Sequence, residues 1–397
     1  MFRIKQWIKM LLQNVLLPLV YRLYCRRPME KGLVLFADAH HGEIPFSMRR
    51  MYETVQAMAA DGGVKAELRI ETYVTDFDRL SFFAMVKYLL HFMRRYAVAE
   101  YVFICDYFLP VSSCRKRPET KVVQLWHSCG LMKKIAYDTG EDIPKGYHGN
   151  MFDNYTYLTL SAEACVPVHE RALRLSRDHI FATGISRTDD YFEENWNARC
   201  RENFWKTHPE AAGRKIAVWA PTFRGNAGQP RLEGLEAIRQ AAEALKDEWF
   251  FVIKAHPHID RHERISNSEI PTEELFPVAD VLITDYSSVL FDYLLYRKPL
   301  VLFAPDLEEY EKKRGFYIDY RSIPFPLAQT GNELSAILKM GSDEILTEDK
   351  KVYFAAESSR GKENFNKADK IRSFRELYVG ACDGRATERI LQLIGMC

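Results

Sequence analysis

Short, nearly continuous runs of β-branched, aliphatic and aromatic residues recur along this chain, and stretches with helical spacing lie between them. The first set is Leu33–Ala37, Leu68–Val74, Tyr101–Cys105, Val122–Trp126, Tyr157–Leu160 and Ile180–Thr183. The second is Ile216–Trp219, Phe250–Lys254, Val281–Thr284 and Leu300–Phe303. Runs without polar alternation suit strands covered on both faces. Helical patterns separate several of them, among them Arg49–Ala60, Ala162–Leu175, Leu235–Leu245 and Val289–Tyr296. This alternation predicts an α/β protein with doubly wound parallel sheets. The polar stretch Glu193–Arg214 carries Pro209 and Gly213 and reads as a helix followed by a linker. It places a boundary near residue 205. The expected organisation is 1–28 as an amphipathic helix, 29–205 and 206–367 as two Rossmann-like domains, and 368–397 as a helical segment.

Composition narrows the function classes. Apolar residues make up 47% of the chain, enough to bury two cores. The formal net charge is +1, from 55 basic and 54 acidic residues, so no global field draws the chain to nucleic acid. The eight cysteines include no C-x-x-C pair, which argues against a zinc ribbon or a thioredoxin-like motif. Reduced thiols are expected.

The N-terminus reads as a helix lying on a surface. Ile4, Trp7, Ile8, Leu11, Leu12, Val15, Leu16, Leu19 and Leu23 share one stripe, and Lys5, Lys9 and Gln13 lie opposite. Arg22, Arg26 and Arg27 close the segment. The longest uncharged run, Met10–Tyr21, is too short to span ~30 Å of hydrocarbon. A basic amphipathic helix containing Trp suits the plane of an anionic membrane. Docking of the helix on the protein body is the alternative. The basic stretch Cys114–Arg117 reads as a surface loop.

Doubly wound sheets bind ligands beyond the carboxyl ends of their strands. Val122–Trp126 runs into His127, and Ile216–Trp219 into "APTFRG" with Thr222 and Arg224. Phe250–Lys254 runs into "AHPH" with His256, and Val281–Thr284 into "DYSS", Asp285 to Ser288. Each ending alone has a plain structural explanation, such as an N-cap or a surface ion pair. Together they suggest a phosphate site. Ser287 and Ser288 stand where a helix begins, and the first N–H groups of a helix favour an anion. Arg224 is a candidate bidentate clamp. His127 is a candidate base from the other domain, and His256 a phosphate ligand or a proton donor to the leaving oxygen. Lys133 and Lys134 are candidates for steering an anionic acceptor; Asp285 and Asp292 orient local groups. There is no G-x-x-x-x-G-K-[ST] and no G-x-G-x-x-G. His256 and His258 would point to opposite faces if extended, so no metal is expected.

These motifs occur in a fixed order: "QLWHSCGLMKKI", "GISRTDDYF", "APTFRG", "IKAHPH", "DVLITDYSSVLFDYLLYRKPLVLF" and "EYEKKRGFYIDY". Together they resemble the CDP-glycerol glycerophosphotransferase family of teichoic acid primases and polymerases. The match covers residues 120–320 well and the first 119 loosely. The resemblance implies a GT-B architecture, two Rossmann-like domains facing a central cleft. It implies transfer of glycerol or ribitol phosphate from CDP-glycerol or CDP-ribitol to a hydroxyl of a lipid-linked or polymeric acceptor, with release of CMP. Peripheral attachment at the cytoplasmic face of the membrane follows, with no cofactor or metal. Carried over by motif, His127 looks like the general base, and His256, Arg224, Ser287 and Ser288 like donor-phosphate ligands.

One departure stands out: Ser128 follows His127 where relatives often have Gly, with Gly130 two residues later. The loop around His127, and with it the acceptor, is expected to differ. His40 and His41 are further candidate acceptor contacts. The alternatives are a nucleotide-sugar glycosyltransferase of the same fold and a membrane-docked anion-binding scaffold.

Overall fold

The computed structural model describes residues 10–61, 67–139, 142–143, 147, 149–225, 231–256, 259–260, 263–340 and 359–397, with side chains from 368 in the last segment. The chain forms two compact units. The first takes in the described residues up to His127, Ile135–Asp190 and Ala381–Cys397; the second is Ser128–Lys134 with Tyr191–Gly380.

The first unit is built on strands β1 (Glu30–Asp38), β2 (Arg69–Val74), β3 (Ala99–Ile104), β4 (Lys121–Gln124), β5 (Tyr157–Thr159) and β6 (Ile180–Phe181). They lie in the order β2-β1-β3-β4-β5-β6, and every pairing is parallel. The second unit has β7 (Lys215–Trp219), β8 (Trp249–Ile253), β9 (Val281–Thr284), β10 (Leu300–Phe303) and β11 (Leu327–Ala328). Its order is β11-β10-β9-β7-β8, also parallel throughout. Each sheet reverses its winding once, between β1 and β3 in one unit and between β7 and β9 in the other. Those two points are where a doubly wound sheet opens a crevice for ligand.

Burial explains the apolar runs. Leu33 to Phe36, Val281 to Ile283 and Leu300 to Phe303 are fully or almost fully buried. In the first unit, Val34, Phe36, Phe103 and Val123 pack with Met48, Met51 and Val55 of the helix Phe46–Ala60. Ile390, Leu391, Ile394 and Met396 from the C-terminal end join that same core. The second core joins Trp219, Phe251, Ile283 and Phe303 to the helices Leu235–Ala244 and Gly331–Lys339 through Ile238, Ala241, Leu334 and Leu338.

The units divide between Asp190 and Tyr191, upstream of the boundary expected near residue 205. The helix Glu194–Thr207 is polar overall yet buries Trp196, Cys200 and Phe204, four residues apart on one face, and it belongs to the second unit. The segment after residue 368 contains the helix Ala386–Leu393, which is part of the first unit and not a separate body.

The N-terminal helix is described from Met10; Ile4, Trp7 and Ile8 lie outside the described residues. It opens as a π turn, Leu12–Leu16, and continues as an α-helix, Leu17–Tyr24. Pro18 supplies the cause: it has no N–H for the Asn14 carbonyl, and the Leu17 N–H reaches back to Leu12. Leu12, Leu17 and Tyr21 are buried, and the Tyr21 ring lies 5.0 Å from that of Tyr96 on the helix Phe82–Tyr96. Leu11, Val15, Leu19 and Leu23 are exposed on another face, and Phe82 and Phe83 are exposed nearby along the chain of the second helix. An open apolar groove of about 540 Å³ is lined by Leu12, Leu16, Phe82, Phe83, Val86 and Leu90. Arg117, from the basic stretch read as a surface loop, caps the helix end by donating to the Cys25 and Arg27 carbonyls. No helix among the described residues is long and apolar enough to cross a membrane.

Candidate functional site

The residues singled out by the sequence fall into two clusters, one at the winding reversal of each sheet. In the second unit, β7 and β9 end side by side, and the loops beyond them are locked together. The Asp285 carboxylate accepts the Thr222 N–H at 2.8 Å and pairs with Arg224 at 2.9 Å. Arg224 also donates to both oxygens of Asp306, at 2.7 and 2.8 Å. Its guanidinium lies against the rings of Tyr286 and Tyr310, 4.7 and 4.9 Å from their centroids. Tyr286 donates to Asp306 at 3.0 Å, and Tyr320 donates to the Asp285 carbonyl at 3.1 Å.

Arg224, Asp285 and Tyr286 are all buried, so the network must be satisfied within itself. Burial alone would loosen the Arg224 proton, but Asp306 and Asp285 more than offset it and raise its pKa. Burial likewise pushes Asp306 up, and the Arg224 hydrogen bond outweighs it, holding the carboxyl below its ordinary range. The guanidinium expected to clamp a phosphate is thus engaged by two protein carboxylates. Asp306 was missed because it lies 82 residues from Arg224, beyond any local spacing.

Ser287 and Ser288 follow directly and are partly exposed. The helix they open is short, Val289–Tyr293, extended by a 3₁₀ turn, Leu294–Tyr296. Its first N–H groups are partly satisfied: Leu290 and Phe291 donate to the Ser287 and Ser288 carbonyls at 3.3 and 3.0 Å. The Thr222 hydroxyl is buried and has no hydrogen-bond partner among the described residues. The His256 ring, past the end of β8, lies 4.6 Å from that of Phe223; His258 falls outside the described residues.

Lys133 belongs to the short segment Ser128–Lys134, which packs in the second unit. Lys133 forms an antiparallel bridge with Phe316, and the Tyr317 N–H donates to the Met132 carbonyl at 2.8 Å. Gly130 has φ +64°, and a Cβ there would stand 2.3 Å from the Phe291 ring. Glycine is therefore required at 130 both for conformation and for close approach. Asp292 accepts from Tyr191 at 3.2 Å and is 3% exposed, a structural position.

In the first unit, β1, β3 and β4 end in Asp38, Cys105–Asp106 and His127. Trp126, just before His127, has φ +58°, a conformation that costs a non-glycine residue ~1 kcal/mol or more. Its N–H is held by the buried Gln124 side chain at 3.0 Å, and its ring stacks on His127 with centroids 5.2 Å apart. This bend turns His127 outward, where its side chain is 47% exposed. Nδ1 of His127 faces the Cys105 carbonyl at 3.3 Å and the Asp106 carboxylate at 3.8 Å. A carbonyl can only accept, so Nδ1 carries the proton and Nε2 keeps its lone pair. The sequence reading did not include Asp106; its signal was the carboxylate at the end of β3, adjacent to β4.

Asp38 organises the loop after β1. Its carboxylate accepts the N–H groups of His40 and His41 at 2.8 and 2.9 Å and contacts the His41 ring at 2.8 Å. Burial pushes Asp38 up, but these contacts outweigh it and leave the carboxyl below its ordinary value. The same hydrogen bond raises the His41 pKa. His169, under the Trp126 ring, is fully buried and pushed down to about 4, so it stays neutral.

Known proteins place this arrangement. The family model described as CDP-Glycerol:Poly(glycerophosphate) glycerophosphotransferase matches residues 19–395. A teichoic acid poly(ribitol-phosphate) polymerase of Bacillus spizizenii is 29% identical over 96% of this chain, which spans 59% of that protein. A teichoic acid ribitol-phosphate primase of the same organism is 26% identical, over 92% of each chain. Among solved structures, a variant of the wall teichoic acid polymerase TagF superposes with a TM-score of 0.68 at 19% identity, covering 99% of this chain and 97% of the other. That likeness carries the fold, two parallel α/β sheets of the GT-B class. The chain belongs to the CDP-glycerol:poly(glycerophosphate) glycerophosphotransferase family.

Proposed function

We propose that this protein transfers glycerol phosphate or ribitol phosphate from a CDP-linked donor to a hydroxyl of a lipid-linked or polyol-phosphate acceptor, releasing CMP. Family membership supports the donor class. The observation that carries the chemistry is His127, presented at a strand end with Nδ1 on the Cys105 carbonyl and Nε2 left to accept a proton. In the proposed step, the acceptor hydroxyl gives its proton to Nε2 as its oxygen bonds to the polyol-bearing phosphorus. The bond from that phosphorus to the bridging oxygen breaks, and CMP leaves with the electron pair. Asp106 favours the resulting imidazolium. His256, Ser287, Ser288 and the Thr222 hydroxyl contact the donor phosphates, and Lys133 steers the anionic acceptor. Arg224 and Asp285 act at one remove, by fixing the loop that carries Thr222. Positioning and charge stabilisation carry most of a phosphoryl transfer.

The same reading places the protein on the cytoplasmic face of the membrane. Its support is the exposed stripe Leu11, Val15, Leu19 and Leu23, the exposed Phe82 and Phe83, and the basic residues Arg22, Arg26 and Arg27. Flotation with anionic vesicles, before and after Phe83→Asp with Leu19→Asp, tests it; equal flotation of both proteins refutes it.

The decisive experiment incubates the protein with CDP-glycerol or CDP-ribitol and polyol-phosphate acceptors. CMP release with the phosphate found on the acceptor is expected. Release of a nucleoside diphosphate from a nucleotide sugar would replace this reading with a glycosyltransferase.

A further inference from the structure

A group of arginines in the first unit stands beside His127 and takes no part in the chemistry above. Arg49 and Arg50 lie in the first turn of the helix Phe46–Ala60, which has no acidic residue there and no side-chain cap. Cations are unfavourable at that end of a helix, so local electrostatics argue against this pair. Arg187 arrives from the turn Ser186–Phe192 and is 6% exposed. The Arg49 and Arg187 guanidiniums both lie over the Phe46 ring, 4.9 and 5.8 Å from its centroid. Arg187 also donates to the His127 carbonyl at 3.2 Å, which ties the group to the candidate base.

The acidic partners do not match this charge. Asp190 stands 3.6 Å from Arg49 and 3.4 Å from Arg50, and Glu53, the other carboxylate acting on it, is exposed. Three guanidiniums therefore face one buried carboxylate and one solvated one. The separations are long for charge-assisted hydrogen bonds. A structural arginine elsewhere in this unit looks different: Arg95 meets Glu71 at 2.7 Å and Glu30 at 3.0 Å, two carboxylates for one guanidinium. The side chains of Arg49 and Arg50 keep about a third of their surface in solvent, 30% and 31%, so a ligand can reach them.

We propose that Arg49, Arg50 and Arg187 form a subsite for a phosphate of the acceptor, the one nearest the hydroxyl that His127 deprotonates. Planar guanidiniums match the oxygen geometry of a phosphodiester. The proposal rests on the transferase reading and deepens it: the acceptor must already carry a phosphate close to its reacting end. The reaction that supplies it is therefore one that leaves a phosphorylated polyol or sugar terminus.

The test uses the full chain and the double variant Arg49→Gln/Arg50→Gln, checked for an unchanged thermal melt. Two synthetic acceptors are compared, one ending in a polyol joined through a phosphodiester, the other with a neutral ether in that place. The variant should raise KM for the first about tenfold or more. KM for the ether acceptor and for the CDP-polyol donor should not move. A raised donor KM would assign the cluster to the donor and overturn the proposal. Equal loss with both acceptors, or no loss, would overturn it as well. If the wild-type chain releases no CMP from either donor, the transferase reading fails first. Calorimetric binding of glycerol 3-phosphate then decides the subsite alone: loss in the variant upholds it, and equal binding refutes it.

Discussion

At the winding reversal of the second sheet the polar groups are buried and paired. Arg224 sits between Asp285 and Asp306 under two tyrosine rings. At the corresponding point of the first sheet they are open. The side chains of His127 and Asp106 are 47% and 45% exposed, and His41 stands at the end of a buried carboxylate. The two sheets share one strand order, so topology does not make this difference. One end spends its charges on holding two loops in register, which suits a surface that must present hydroxyls and backbone to a phosphate without rearranging. The other keeps titratable groups in contact with water, which suits a surface that must accept a proton and admit a long acceptor.

Substitutions on the two sides should therefore fail in different ways. His127→Ala should lower CMP release about 10²–10⁴-fold, the range for a lost general base, while the melting curve and donor affinity stay put. Activity within a few-fold of wild type would remove His127 from the chemistry. Arg224→Ala leaves two carboxylates buried without their cation and should cost roughly 3–5 kcal/mol in urea denaturation. If Arg224→Ala keeps wild-type stability but loses donor binding, the residue touches the donor directly and the contrast collapses.

The smallest effect concerns His41 and Asp38. The His41 contact with Asp38 raises its pKa, so its stabilisation is full below the unfolded value near 6.5 and fades as pH rises through the folded one. Asp38 is lowered, so its share is present above about 3.9 and is lost as pH falls through its folded pKa. The pair is therefore fully stabilising from about pH 4 to pH 6.5. Proton NMR should place the His41 midpoint above that of an ordinary histidine, and Asp38→Asn should bring it down. An unmoved midpoint would mean the carboxylate does not hold the ring in solution.

Most strands were legible because their residues are buried on both faces, which leaves an unbroken apolar run. Val281–Thr284 and Leu300–Phe303 form strands with the expected limits. β11 was not, because Leu327 and Ala328 are too short a run to show any period. The strand-end residues Thr222, Arg224 and Asp285 were legible as a group, since topology brings them together. Their contacts were not: Arg224 reads as a free cation until Asp306 is placed beside it. The bend at Trp126 was equally hidden. Positive φ was expected to need glycine after His127, whereas here Trp126 and Gly130 take it, on either side of His127 and Ser128.

The return of the last helix to the first unit has a consequence for synthesis on the ribosome. Ile390, Leu391, Ile394 and Met396 are buried in the core formed around β1, β3 and β4, and each contributes roughly 2 kcal/mol. A chain that has emerged only as far as residue 190 therefore has an incomplete first core with an apolar face uncovered. Tyr191–Gly380 of the second unit has left the tunnel before that face can be covered. Despite its position in the chain, the N-terminal unit should be the last to reach full protection against proteolysis in the nascent protein.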